Sequence, residues 1–328
     1  MISNRGILKT IGNTPLVKLE RVLKDFPIHL FVKLEMFNPG GSIKDRTALI
    51  MLQQAIERGD VREGTTIIES SSGNLAIGLA QACRFLNLRL ICVVDPKTTQ
   101  QNINIMKAYR AEVDMVTDPD PVSGEYLDAR INRVKSLTQS ISNAFWTNQY
   151  ANPDNPKAHY TTMKEILNEL NGVAPDYFFC AVSTCGTLRG CSEYIRKNNL
   201  KTEIMSVDAV GSIIYSDIKS KRLIPGHGAA RVPELFRKGL EDEYIHVSDL
   251  ECISGCRRLL KSEAILAGGS SGGVISAIEK KAPEIRDNAV CVAIIPDSGE
   301  RYLDTIYSDE WVTDHFGDVF HLWEDSDH

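Results

Sequence analysis

The sequence predicts an α/β fold of two domains, each a mainly parallel, twisted sheet flanked by helices. Short runs rich in β-branched and aromatic residues alternate with longer segments of helical periodicity, which is the pattern of βαβ units. The 328 residues suffice for two domains, and 43% of them are apolar, enough for buried cores. The segment 152–156 contains two prolines that interrupt both flanking patterns, so we place the domain junction there.

The elements follow in order along the chain. The predicted strands are short β-rich runs, at 65–70, 89–95, 113–117, 177–182, 203–208 and 290–296. The predicted helices lie between them, at 45–58, 73–86, 100–110, 124–139, 157–170, 186–198, 249–261 and 272–281. We expect an N-terminal domain over 1–150, with about 10–36 packing on the other domain, a C-terminal domain over 151–312, and a loosely held acidic tail over 313–328.

Composition excludes several classes of function. A net charge of −6 without a basic cluster disfavours nucleic acid and anionic membranes as partners. No apolar run approaches the roughly 20 residues that span a bilayer, and the N-terminus lacks the apolar segment of a secretory signal. Eight cysteines without a CxxC pair indicate buried free thiols in a reducing compartment, so we expect a cytoplasmic protein. Seven scattered histidines without HExxH or CxxH spacing predict no metal site.

The segment Asn38–Arg46, with sequence NPGGSIKDR, carries the first chemical signal. Its two glycines permit a tight turn, and Ser42 with Asp45 resembles a shortened capping box, which places Lys44 in the first helical turn. An ammonium is poorly placed at a helix N-terminus, so the site favours the neutral amine that attacks a carbonyl. An ordinary loop lysine is the alternative interpretation.

Three strand-to-helix junctions are rich in small polar residues, and ligands of α/β proteins collect at the carboxyl ends of strands. The SSSGNL segment at 70–75 offers backbone N–H groups to an anion the size of a carboxylate. The STCGT segment at 183–187 offers hydroxyl and N–H donors to a phosphate. The AGGSSGG segment at 267–273 lets the backbone approach a flat ring closely. Each could also be a plain N-cap cluster.

Together these motifs resemble the fold-type II pyridoxal phosphate (PLP) enzymes, which include the cysteine synthases and cystathionine β-synthases. The resemblance runs from about Ile7 to Tyr307 and includes GNTPL at 12–16 and PDSGERY at 296–302. It implies a tryptophan synthase β-like fold, PLP as the cofactor and a homodimer. We interpret Asp297 and Arg301 as an ion pair within the last of these segments.

The resemblance also implies roles for individual residues. Lys44 is the catalytic residue and forms a Schiff base with PLP. The implied cofactor contacts are Asn74 to the phenolic oxygen, Ser270 to the pyridine nitrogen, and Ser183, Thr184, Cys185, Gly186 and Thr187 to the phosphate. Ser71, Ser72 and Gly73 bind the substrate carboxylate. A hydroxyl at the pyridine nitrogen, in place of a carboxylate, favours β-elimination over transamination.

A narrower resemblance concerns the substrates. PGHGAARVPE at 225–234, together with NQYAN at 148–152 and VDA at 207–209, is similar to the 2,3-diaminopropionate biosynthesis proteins. That group joins O-phospho-L-serine to L-glutamate, giving N-(2-amino-2-carboxyethyl)-L-glutamate for siderophores or nonribosomal peptides. His227 and Cys185 depart from its pattern. Arg130 and Arg231 are the candidates for the glutamate carboxylates, and Tyr150 and Ser183 could add hydroxyl contacts.

Two alternatives stay open. The first is a sulfhydrylase that uses sulfide as the acceptor. Leu75, where sulfhydrylases usually carry threonine, and Arg231 both disfavour it. The second is a binding role, because sulfhydrylases can hold the C-terminal tail of a serine acetyltransferase in a regulatory complex. Retention of Lys44 with all three polar loops favours working chemistry.

Overall fold

The computed structural model describes residues 2–324, and they form two compact units. The first unit comprises Asn38–Ala158 and the described residues up to Gly12. The second comprises Asn13–Phe37 and the described residues from His159 onward. Within residues 2–324, no helix is long and apolar enough to cross a membrane.

The first unit is built on a four-stranded parallel sheet with strand order β5-β4-β3-β6. Its strands are β3 (Thr66–Ser70), β4 (Arg89–Val94), β5 (Glu112–Met115) and β6 (Ala144–Trp146). Its helices are α1 (Lys44–Arg58), α2 (Asn74–Leu86), α3 (Gln100–Ala108) and α4 (Tyr126–Ser140). Strand β3 is buried along its whole length, as a strand covered on both faces must be.

Helices α1 and α2 pack at close range over this sheet. A Cβ atom on Gly78 of α2 would lie 3.3 Å from Ala48 Cβ and 3.0 Å from Asp45 Oδ1 on α1. The core beneath them includes Leu52, Leu75 and Leu79, each at most 2% exposed. Glycine at position 78 therefore allows the close approach that fixes the start of α1 against α2.

The second unit is built on a six-stranded sheet with strand order β1-β2-β10-β7-β8-β9. Its strands are β1 (Leu16–Lys18), β2 (His29–Leu34), β7 (Tyr177–Ala181), β8 (Glu203–Ala209), β9 (Glu243–Val247) and β10 (Val290–Ile295). Only the β1–β2 pairing is antiparallel among the described strands of this sheet. The helices that follow α4 are α5 (Asp154–Glu169), α6 (Gly186–Lys197), α7 (Asp249–Glu263), α8 (Gly269–Lys281) and α9 (Asp309–Phe316).

The predicted α/β class with helix-flanked parallel sheets is confirmed. Two local expectations are wrong. Helix α5 begins at Asp154 and not at 157, because Pro156 lies in its first turn, where a proline costs no hydrogen bond. The stretch after position 312 is not a loose tail throughout, since α9 extends to Phe316 and Trp323 packs into the core at 8% exposure. Residues 325–328 of the predicted tail lie outside the described residues.

Candidate active site

The turn before Lys44 is held by side chains at both ends. Asn38 Oδ1 accepts a hydrogen bond from the Gly12 N–H at 2.8 Å, and Asp45 Oδ2 accepts one from the Gly40 N–H at 2.5 Å. A Cβ atom on Gly40 would lie 2.4 Å from Asp45 Oδ1, so a larger residue at position 40 would displace the carboxylate. Lys44 is half-buried and is the first residue of α1, as the sequence predicts.

The predicted capping box at this turn is wrong. The helix N-cap is Ile43, which makes no side-chain cap hydrogen bond, and Ser42 Oγ accepts from the Lys44 N–H at 3.2 Å. Asp45 cannot serve as the partner of Ser42 because its carboxylate reaches back to Gly40. The consequence for Lys44 is unchanged, since both bonds fix the backbone immediately before it.

The predicted carboxylate loop lies between β3 and α2. Ser71 Oγ accepts from the Ala76 N–H at 3.2 Å, and the Ser72 carbonyl accepts from Asn102 Nδ2 at 3.0 Å. Gly73 is the N-cap of α2, and within residues 2–324 no atom beyond its chain neighbours and the adjacent helix backbone lies within 4 Å of the position that its Cβ would occupy. Asn74 is the first residue of the helix and is half-buried. Hydrogen bonds from α2 and α3 therefore hold the loop while open space adjoins its glycine, as an anion site at a helix N-terminus requires.

Leu75 does not face this space. It is 2% exposed and belongs to the apolar core of the first unit. The sequence-based argument that Leu75 removes a hydroxyl from the substrate surface, and so disfavours a sulfhydrylase, is not supported by this position.

Glu69 is a polar residue near the loop that no sequence motif singles out. Its side chain is 1% exposed, and it accepts hydrogen bonds from the Ser70 N–H at 2.8 Å and the Thr147 hydroxyl at 2.5 Å. Burial raises the pKa of the Glu69 carboxyl. Glu69 thus joins the end of β3 to the segment that leads to Tyr150, which is half-buried.

Arg130 lies on α4 with its side chain 12% exposed, and its Nε atom is 3.3 Å from Asp95 Oδ2. Asp95 follows the last residue of β4, at the carboxyl edge of the sheet. Arg130 therefore does not belong to a solvated helix face. Its Nε atom lies within ion-pair distance of Asp95 Oδ2 but makes no hydrogen bond to it, so the contact is electrostatic.

In the second unit, the predicted phosphate loop joins β7 to α6. Thr184 is 4% exposed and Thr187 is 9% exposed, and Thr187 Oγ1 lies 3.4 Å from His159 Nε2. Ser183 is half-buried. The first N–H groups of any helix lack intrahelical partners, and here they begin at Gly186 beside these hydroxyls. The loop thus provides N–H and O–H donors for a phosphate.

Cys185 is the N-cap of α6 and has a φ of +63°, a left-handed conformation that favours glycine. Its side chain is 2% exposed. The buried thiol and the N-cap position together give Cys185 a structural role in the loop.

Ser270 lies in the first turn of α8 and is 8% exposed. The glycines around it serve close packing within the unit. A Cβ atom on Gly272 would lie 1.9 Å from the Cys252 carbonyl oxygen of α7, and one on Gly268 would lie 2.1 Å from Asp297 Oδ1. Helix α8 is therefore seated tightly against α7, which fixes the position of Ser270.

The remaining predicted residues of the second unit differ in exposure. Arg231 is exposed, whereas His227 is 1% exposed and so does not belong to a substrate surface. Asp297 is 2% exposed and accepts a hydrogen bond from the Tyr302 hydroxyl at 2.6 Å, and its pairing with Arg301 stays a prediction. Among residues 2–324, no group of three or more His, Cys, Asp or Glu side chains could hold a metal ion.

The donors in the two units fit the chemistry of PLP. The first unit supplies an amine at a helix start and an anion site for a carboxylate. The second supplies a phosphate loop and a serine hydroxyl on a glycine-seated helix. PLP carries an aldehyde, a phosphate and a ring nitrogen, and an amine, an anion-binding loop and a hydroxyl are each chemically suited to one of these groups.

Comparison with known proteins identifies the family. Residues 7–297 match the model of the pyridoxal-phosphate dependent enzymes. Solved structures that are similar over nearly the whole chain include three enzymes. Cysteine synthase from Entamoeba histolytica is 33% identical, with a TM-score of 0.86 over 92% of this chain and 90% of that one. The O-acetylserine dependent cystathionine β-synthase from Helicobacter pylori is 32% identical, with a TM-score of 0.85 over 92% and 98%. O-ureido-L-serine synthase is 29% identical, with a TM-score of 0.86 over 93% and 98%.

The family match confirms the predicted cofactor, PLP, and supports the general reaction, β-replacement. The chain belongs to the pyridoxal-phosphate dependent enzymes, as a fold-type II member related to cysteine synthase and O-ureido-L-serine synthase.

Proposed function

We propose that this enzyme joins O-phospho-L-serine and L-glutamate, giving N-(2-amino-2-carboxyethyl)-L-glutamate and phosphate. The product is a precursor of L-2,3-diaminopropionate. The observation that supports the choice of glutamate is Arg130, a nearly buried guanidinium 3.3 Å from Asp95 at the carboxyl edge of the first sheet. An acceptor such as sulfide needs no such group, whereas a dicarboxylate does.

In this proposal each polar segment has a defined role. Lys44 Nζ binds the cofactor, then removes the α-proton of the serine substrate and later returns a proton to the same carbon. The N–H groups and hydroxyls of 71–74 hold the substrate carboxylate, and Asn74 also binds the cofactor. Residues 183–187 hold the cofactor phosphate. PLP, when bound, withdraws electrons from the α-carbon.

Ser270 sets the type of reaction. A serine hydroxyl is a neutral partner for the ring nitrogen, so the ring stores negative charge less well than a ring paired with a carboxylate. Expulsion of the phosphate leaving group from the β-carbon is then favoured over transamination. The glutamate α-amine forms the new bond at that β-carbon.

Sulfide is the competing acceptor. The identity of 33% to a cysteine synthase supports this alternative, as does the core position of Leu75, which removes one argument against it. The two candidates differ in their need for an arginine. The experiment therefore substitutes an arginine and measures phosphate release and condensation with the acceptor separately.

Arg130→Ala should spare phosphate release from O-phospho-L-serine in a single turnover without acceptor. The same variant should lower kcat/KM for L-glutamate by roughly 30-fold or more, the factor for about 2 kcal/mol from a lost charge pair. Arg133→Ala is the matched control, because Arg133 lies one turn along α4 with a side chain 44% exposed and pairs with Asp114 at 2.7 Å. Thermal unfolding checks for damage from leaving Asp95 unpaired.

Arg231→Ala tests the second candidate in the same assay, with the exposed Arg237 as its control. Normal glutamate dependence in both the Arg130 and Arg231 variants would refute a glutamate-binding arginine at these positions. So would a loss confined to phosphate release.

A further inference from the structure

His227 occupies a junction of the second unit that the proposed reaction leaves without a role. Its ring is 1% exposed, with Nε2 at 3.1 Å from the Val207 carbonyl of β8 and Nδ1 at 3.5 Å from Cys252 Sγ of α7. A carbonyl can only accept, so Nε2 carries the proton and Nδ1 accepts from the thiol. The side chain therefore joins a strand to a helix by two directional contacts.

The backbone around His227 is fixed as well. The Gly228 N–H donates to the Val182 carbonyl at 2.7 Å, and Arg222 Nη1 donates to the His227 carbonyl at 2.6 Å. Val182 immediately precedes Ser183 of the phosphate loop. The Val182 N–H donates to the Val207 carbonyl at 2.9 Å, and this is the same carbonyl that accepts from the His227 ring.

The third contact of the ring is with α8. A Cβ atom on Gly273 would lie 2.9 Å from His227 Cε1, so the helix backbone rests on the ring edge between the two nitrogens. Gly273 follows Ser270 by one turn of this helix. His227 and its loop thus touch the strand end that bears the phosphate loop and also the helix that bears Ser270.

We propose that His227 is a positioning residue that sets the spacing between the phosphate loop at 183–187 and Ser270. The spacing affects the affinity for PLP because the ring nitrogen and the phosphate of PLP lie a nearly constant distance apart. Groups that bind both ends must therefore be held in register. The inference rests on the proposed roles of these two segments, and not on the identity of the acceptor substrate.

The ring is suited to this task because it stays neutral. Burial lowers the pKa of His227 to about 4, and the nearby Arg222 guanidinium acts in the same direction. Burial also raises the pKa of Cys252, so its thiol remains a donor to Nδ1. Both contacts therefore persist across the neutral range of pH.

The test compares PLP binding with stability in three variants. His227→Leu keeps apolar bulk and removes both ring contacts, while His227→Gln retains a donor for the Val207 carbonyl. Leu259→Ala is the control, because Leu259 is a fully buried core residue of α7, two turns beyond Cys252. The readouts are the Kd for PLP from fluorescence titration, the ³¹P chemical shift of bound PLP, and the urea midpoint without cofactor.

We expect His227→Leu to raise the Kd for PLP about tenfold and to shift the ³¹P resonance. His227→Gln should restore most of the affinity, and Leu259→Ala should lower the urea midpoint while leaving the Kd within about twofold. A Kd within twofold of wild type in His227→Leu, or an equal rise in Leu259→Ala, would overturn the proposal.

If His227→Leu does not fold, Gly273→Ala tests the same contact, since the added methyl pushes α8 off the ring. It should weaken PLP binding as well, and an unchanged Kd would count against the proposal. Thr184→Ala and Ser270→Ala test the proposed cofactor contacts separately from the role of His227. If neither changes the Kd, the proposed cofactor contacts are wrong, whatever His227 does.

Discussion

Lys44 stands at the first position of a fifteen-residue helix, behind a turn that two side-chain hydrogen bonds fix. That placement presents one amine at a defined point, as nucleophilic attack on a carbonyl requires. Lys44→Ala should therefore abolish turnover and the visible absorbance of lysine-bound PLP. Absorbance spectra and steady-state assays check this, and full activity in the variant would exclude Lys44 as the anchor.

The proposed contact of Ser270 with the ring nitrogen can be tested by changing the charge of this side chain. Ser270→Asp should keep the ring nitrogen protonated, and a ring that holds negative charge well should expel phosphate more slowly. A buried carboxylate can also cost a few kcal/mol of stability, so thermal unfolding and PLP content are measured alongside. Ser270→Ala separates loss of the hydroxyl from gain of charge. An aspartate variant that folds, binds PLP and releases phosphate at the normal rate would place Ser270 elsewhere.

Residue types in the sequence predicted the chemistry of the site residues better than they predicted the structural environment of each residue. Lys44 begins its helix, as its motif indicated. The environments of Leu75 and His227 could not be predicted, because each depends on elements distant in sequence. Leu75 lies in a core although its motif predicts a place at the substrate, and His227 meets β8, α7 and α8 only after folding. Arg130 is similar, since its partner Asp95 lies 35 positions earlier.

At the scale of elements, periodicity located most helices and central strands, with ends shifted by a few residues. It missed β2, whose Lys33 interrupts an apolar run although the residue is fully buried. The Lys33 ammonium forms ion pairs, with Nζ at 3.1 Å from Glu165 Oε2 and 2.5 Å from Glu169 Oε1. Both partners lie more than 130 positions away in the sequence. A pattern read locally has no means of recognising a buried charge that is paired at long range.

The backbone conformation of the phosphate loop can be tested by substituting Cys185. Cys185→Val places a β-branched residue at a φ of +63° and should lower the free energy of unfolding by about 2 kcal/mol. It should also weaken PLP binding, whereas Cys185→Gly should preserve it because glycine adopts this conformation freely. Urea unfolding and PLP titration measure both effects.

Cys191→Val is the matched control, since Cys191 is fully buried on the same helix, within its regular part. Equal losses of stability and PLP affinity in Cys185→Val and Cys191→Val would show that the loop backbone does not limit cofactor binding.

At the scale of the whole molecule, the α/β class follows from the sequence because alternation of strands and helices is a global pattern that tolerates local errors. The composition of the units is anticipated only by the expectation that about 10–36 packs on the other domain. Asn13–Phe37 belongs to the second unit while Asn38 begins the main part of the first, so each unit is discontinuous in sequence. No local signal marks such a crossing, since contacts made after folding define it.

The stability of the whole molecule should fall in mild acid, in part through His227. Its folded pKa, about 4, lies below the ordinary value of 6.5, so the unfolded chain binds the proton first. This contribution is complete above pH 6.5 and is lost as the pH falls toward 4, by up to about 3 kcal/mol. Urea midpoints at pH 7 and pH 5 should differ less in His227→Leu than in wild type. An unchanged difference would mean that the ring is not buried in its neutral form.

The identity of the acceptor is the central claim, and direct competition tests it. Purified enzyme with PLP and O-phospho-L-serine would receive L-glutamate and sulfide at equal concentration, with products measured by mass spectrometry. We expect N-(2-amino-2-carboxyethyl)-L-glutamate as the main product, with phosphate released in equal amount. Cysteine as the main product, with no condensation to glutamate, would refute the proposed acceptor and establish a sulfhydrylase.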